Sequence, residues 1–164
     1  CAVSRREFIK MGCTTVTGSL VMGLVPPAIA KGMNETAKYP VVDVAPAASL
    51  KVGAAVSFTY PDANSPALLI RLARPAEAGV GPGNSIVAYS SLCTHKGCPV
   101  AYRPERRLII CPCHWSSFDP AKAGQIVIGQ ASQSLPQITL RVRSGMVQAI
   151  GVDGLIYGRH TNIV

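Results

Sequence analysis

Four cysteines and two histidines fall within 22 residues of this 164-residue chain, in two short groups. The first is Cys93-Thr94-His95-Lys96-Gly97-Cys98 and the second Cys111-Pro112-Cys113-His114-Trp115-Ser116. The skeleton is Cys-x-His, then fifteen residues, then Cys-x-x-His. Thiolate and imidazole are soft donors suited to iron, copper and zinc. Each group supplies one of each, so the fold must bring two loops together around one metal centre. Cys₂His₂ is also a structural zinc set. Zinc ribbons and fingers, however, take pairs of like ligands and seldom carry a spare cysteine in each loop. A thiol oxidoreductase is a weaker alternative, because Cys111-Pro112-Cys113 is C-x-C and no βαβ pattern surrounds it.

The scaffold reads as all-β. Short β-rich apolar runs at 41–44, 56–60, 67–72, 86–89, 108–110, 125–128, 138–142, 147–150 and 155–157 are expected strands. Turn residues separate them at 61–64, 79–84, 103–105, 144–145 and 153–154. With 13 Pro and 15 Gly the chain is too punctuated for a helical bundle, and 48% hydrophobic against 15% charged residues argues against disorder. The expected architecture is an antiparallel β-sandwich or small barrel with the metal loops at strand tips. The net charge of +8 raises nucleic acid as a partner. The basic residues are scattered and the chain has one Trp and three Phe, so no nucleic-acid partner is expected.

Residues 1–30 read as an export address. Ser4-Arg5-Arg6-Glu7-Phe8-Ile9-Lys10 precedes a Gly-diluted apolar stretch from Met11 to Val25, and Ala28-Ile29-Ala30 offers a small-residue cleavage site. This pattern is a twin-arginine signal, the route that carries folded proteins with their cofactors to the periplasm. A retained anchor is the alternative. Fifteen helical residues reach about 22 Å, short of the ~30 Å hydrocarbon core. Removing the segment takes Arg5, Arg6, Lys10 and Glu7 with it and leaves a charge of +6. Residues 31–40 are expected as a flexible lead-in and 41–164 as one domain, with the metal-binding part at about 85–130.

The two ligand groups resemble the signature of Rieske [2Fe–2S] proteins, in which His₂ replaces Cys₂ on one iron and raises the potential. The resemblance implies that Cys93 and Cys111 bind one iron and His95 and His114 the other, nearer solvent. It leaves Cys98 and Cys113, one per loop, to form a disulfide in an oxidising compartment. It places Ser116 where a hydroxyl donates to a bridging sulfide. Phe118 falls where high-potential members carry Tyr, so one tuning bond is kept and one is missing. Lys96 stands beside His95, either as added positive potential for the cluster and a partner or as a solvated loop residue. Arg103, Arg106 and Arg107 surround the turn between the loops, where a solvated hairpin tip is the plainer expectation.

Segments at 56–62, 79–82, 86–90, 129–131, 135–136 and 151–159 extend the resemblance to the small Rieske subunit of bacterial arsenite oxidase. It implies an oxidoreductase subunit with no substrate chemistry of its own. It also implies a large molybdopterin/[3Fe–4S] subunit as partner and a cytochrome c or azurin-like acceptor. A ring-hydroxylating oxygenase is excluded, because it needs a second iron site with two histidines and only His160 remains. The alternative within the family is the Rieske subunit of a quinol-oxidising cytochrome bc-type complex.

Overall fold

Residues 39–163 are described by the computed structural model. The expected export signal, 1–30, and most of the expected lead-in, 31–40, lie outside them. Helix among the described residues is confined to single turns at Ala47–Ser49 and Pro82–Asn84, and ten strands carry the rest. These are β1 Val42–Pro46, β2 Ala55–Thr59, β3 Pro66–Arg71, β4 Ile86–Ser90, β5 Ala101–Arg103, β6 Leu108–Ile110, β7 Ser117–Asp119, β8 Gln125–Ile128, β9 Gln137–Arg143 and β10 Met146–Asp153. A six-stranded sheet in the order β1-β10-β9-β4-β3-β2 curls into a nearly closed barrel. A four-stranded sheet, β5-β6-β7-β8, is an insertion between β4 and β9. All the strand pairings are antiparallel.

The run Ile86-Val87-Ala88-Tyr89 has no polar alternation, and β4 is buried on both faces. Ile86 and Ala88 enter a core with Leu69, Ile138, Leu140, Val147 and Ala149 inside the six-stranded sheet. Val87 and Tyr89 enter a second core with Ile109, Phe118 and Leu135, and that core contains Cys93 and Cys111. A strand lined on both sides by apolar residues thus joins the scaffold to the metal loops. The Tyr89 hydroxyl donates to the Pro120 carbonyl at 2.9 Å and satisfies the polar end of a buried ring.

Two short strands were not expected. β5 and β7 have three residues each, and β7 places Phe118 between the polar Ser117 and Asp119. The expected strand at 155–157 is not formed. That segment is held irregularly by side chains. Ile156 N–H donates to Asn162 Oδ1 at 2.9 Å, Asn162 Nδ2 donates to the Gly154 carbonyl at 2.7 Å, and Arg159 grips Asp62 through two bonds of 2.7 and 2.8 Å. The Arg159 guanidinium holds the Asp62 carboxyl below the usual carboxylate range, helped by N–H and O–H donors from Asn64 and Ser65. The end of the lead-in is also docked. Tyr39 stacks on Tyr60, whose hydroxyl donates to the Pro40 carbonyl at 2.8 Å.

Candidate metal centre

The ligand groups occupy the turns after β4 and after β6, and the two turns close in the same way. In the first, Cys93 N–H donates to the Cys98 carbonyl at 2.9 Å and Gly97 N–H donates to the Cys93 carbonyl at 2.8 Å. In the second, Cys111 N–H donates to the Ser116 carbonyl at 2.9 Å and Trp115 N–H donates to the Cys111 carbonyl at 3.0 Å. The residue four places after each leading cysteine turns left-handed, Gly97 at φ 71° and Trp115 at φ 60°. Glycine takes that conformation freely, whereas a side-chain-bearing residue there costs on the order of 1 kcal/mol.

Cys93 and Cys111 are buried free thiols. Burial pushes the Cys93 thiol up and the adjacent Cys111 adds to the shift, while the backbone N–H groups of His95 and Lys96 oppose it. The His95 and His114 rings stand edge to face, with centroids 4.8 Å apart. His95 Nδ1 is buried with no hydrogen-bond partner, which is costly unless something else fills its lone pair. Two thiols, two imidazoles and one orphaned ring nitrogen fit the His₂/Cys₂ donor set of a [2Fe–2S] centre. The sulfurs of Cys98, Cys111 and Cys113 lie within 4.8 Å of one another, but Cys98 and Cys113 are joined as a disulfide and are not available as ligands. The disulfide ties the two loops together.

Ser116 is fully buried, and its Oγ accepts N–H bonds from Gln130 at 3.1 Å and Ala131 at 3.0 Å. A hydroxyl has two lone pairs and one proton. With both acceptor positions taken, the proton must be donated elsewhere. Gly129 permits this approach. A Cβ there would sit 2.3 Å from Ser116 Cα, and its φ is 116°. Gly129→Ala is therefore expected to displace the Ser116 hydroxyl and lower iron content while the far-ultraviolet circular dichroism stays that of the parent. Full iron loading in this variant would contradict the assigned geometry.

Phe118 is fully buried in the same core as Cys93 and Cys111. Its ring carries no donor. Phe118→Tyr is expected to raise the midpoint potential measured by protein-film voltammetry, because a hydroxyl donated toward the ligand sulfurs favours the more negative, reduced state. An unchanged midpoint would remove Phe118 from the tuning account. Lys96 is exposed, as are His114 and Trp115.

Sequence reasoning missed a third loop. Residues 129–135 contain no metal-binding side chain, yet they supply the N–H groups on Ser116, and the Gln133 carbonyl accepts a 2.7 Å bond from the Thr94 hydroxyl. The metal-binding part thus extends past residue 130. Tyr157 was missed as well. A Cβ on Gly97 would lie 2.6 Å from its ring, so the C-terminal segment rests directly on the first ligand loop.

The sequence pattern of the Rieske [2Fe-2S] domain matches residues 41–139. The iodate reductase subunit IdrB of Denitromonas iodatirespirans is 37% identical over 98% of this chain and 86% of its own length. A cytochrome bc1 complex Rieske iron-sulfur subunit from Streptomyces lividans is 43% identical, but over 40% of each chain. The soluble domain of Rieske protein II from Sulfolobus acidocaldarius superposes with a TM-score of 0.66 at 23% identity, covering 74% of this chain and 82% of that one, a likeness of fold.

Proposed function

The chain belongs to the Rieske [2Fe-2S] domain family, and from that premise we propose that it is the electron-relay subunit of a periplasmic arsenite oxidase, with Cys93, His95, Cys111 and His114 as the cluster ligands. When bound, the cluster supplies one-electron exchange at a potential raised by its imidazole ligands. The chain's own residues do the rest. Cys93 and Cys111 anchor the site from the buried core, whereas the exposed His114 puts the imidazole side at the surface where a partner docks. Ser116, whose oxygen accepts two N–H bonds, has its proton left to donate, and the Cys98–Cys113 bond ties the two loops together.

The observation that carries the relay role is the buried thiol pair beside the two touching imidazoles, one with its Nδ1 unpartnered. Support for the arsenite assignment comes from the residues flanking the loops, above all 151–159. Export is supported by the 1–30 pattern and by a disulfide suited to an oxidising compartment. The large partner would be the molybdopterin/[3Fe–4S] subunit, and the outward partner a cytochrome c or azurin-like carrier.

Iodate reductase is a second reading, favoured by the two IdrB relatives at 37% and 36% identity over nearly the whole chain. A cytochrome bc role has less support, since the bc1 relative from Streptomyces lividans matches over only 40% of this chain. Electron direction separates the first two. In the complex purified from its native periplasm, arsenite should produce the reduced Rieske electron paramagnetic resonance (EPR) signal from oxidised protein. Iodate bleaching a prereduced signal, with arsenite inert, would favour the second reading. Inertness toward both would sink the subfamily assignment and leave the relay role.

A further inference from the structure

The two ligand loops close alike, yet one places glycine and the other tryptophan at the left-handed position. Trp115 is 67% exposed, so core packing does not explain why a bulky residue is kept there. Its carbonyl is held at 3.1 Å by the Ser117 hydroxyl, which fixes the strained turn. Trp115 forms one wall of a groove with Ile110, Pro112, Arg103, Arg106 and Glu105. Ile110 and Pro112 are the chain neighbours of Cys111, and Trp115 is that of His114, so this groove lies beside the second ligand loop.

We propose that this groove is the docking seat of a soluble electron-carrier protein with a carboxylate-rich face. Charge selects that occupant. Between Cys93 and Ala131 the sequence has five basic and two acidic residues. One of the two acids, Asp119, is paired with Arg74. Neither ion pair among the described residues involves Arg103, Arg106 or Glu105. Two unpaired guanidiniums against a single carboxylate at a groove rim attract acid. Trp and Arg together are the residue types that dominate binding hot spots. A permanent subunit interface, in contrast, is depleted of charge at its centre. Exposed complementary charge instead speeds the encounter of a transient partner, and the acceleration falls with salt. This inference rests on the electron-relay reading but not on which oxyanion the complex handles.

The test uses the purified, reduced complex in stopped flow with two probes, the acidic carrier plastocyanin and the basic mitochondrial cytochrome c. Wild-type protein should reduce plastocyanin at a rate that falls as ionic strength rises. Arg103→Glu with Arg106→Glu should slow that step about tenfold at low salt and speed the reaction with cytochrome c. Trp115→Gly should slow plastocyanin at every ionic strength while raising the thermal midpoint, because glycine relieves the strained turn. The EPR spectrum should stay that of the parent in each variant. Plastocyanin rates unaltered by these changes would overturn the groove assignment. So would a lower thermal midpoint for Trp115→Gly, or gel filtration showing that the Glu pair releases the large subunit. A wild-type protein that gives electrons to neither carrier would contradict the relay reading itself.

Discussion

Replacing Cys98 and Cys113 together by serine is expected to shorten the lifetime of the bound cluster severalfold while the six-stranded sheet stays folded. The bridge spans a sequence separation of 15 and links the two ligand loops directly. In the chain-entropy account, closing a loop of that length contributes roughly 3 kcal/mol. That contribution falls on the loops, because the core inside the six-stranded sheet draws no residue from them. Loss of visible absorption in the presence of a chelator measures the first effect, and circular dichroism on heating separates it from global unfolding. Equal cluster lifetimes in variant and parent would show that the backbone hydrogen bonds of the two turns suffice without the bridge.

Cys111→Ser is expected to remove the cluster altogether. The residue is buried, its N–H and carbonyl both close the second turn, and its thiol is the only free one there. Serine keeps the backbone geometry but is a poor ligand for iron at neutral pH. The purified variant should carry no iron and give no EPR signal on reduction, yet retain the Cys98–Cys113 bond in peptide mapping. His160→Ala is the control. His160 lies in the C-terminal segment outside both ligand loops, and its loss should leave iron content unchanged. Iron retained at parental levels in Cys111→Ser would displace Cys111 from the ligand set.

The candidate site could be proposed from the sequence because its chemistry is local. A Cys-x-His and a Cys-x-x-His group each lie within one turn, and β6 and β8 beside them carry apolar runs with the expected bounds. β5 and β7 were not legible, because three residues, Ala-Tyr-Arg and Ser-Phe-Asp, are too few to show a periodic signal. Residues 155–157 misled for the opposite reason. Their apolar, β-prone composition reads as a strand, but Ile156 is buried as a single anchor and the backbone is tied by Asn162 and Arg159. The third loop acts through N–H groups, which any residue but proline supplies, so its role at Ser116 left no mark in side-chain identity. The likeness of Gly97 and Trp115 appears only when the backbone bonds of the two turns are compared. Substrate identity is a different case. A relay subunit is expected to do no oxyanion chemistry of its own, so this chain's residues speak to arsenite or iodate only through resemblance to other relay subunits.

The ligand set is the claim on which the other expectations depend. Electron spin-echo envelope modulation of the dithionite-reduced protein reads it directly, because imidazole nitrogens bound to iron give strong nitrogen couplings that thiolates cannot. Cys93, His95, Cys111 and His114 as ligands require couplings from two distinct histidine nitrogens, one of them lost in His114→Cys, with iron and labile sulfide in equal amounts. A reduced protein without such couplings, or a purified chain holding one zinc and no iron, would contradict it.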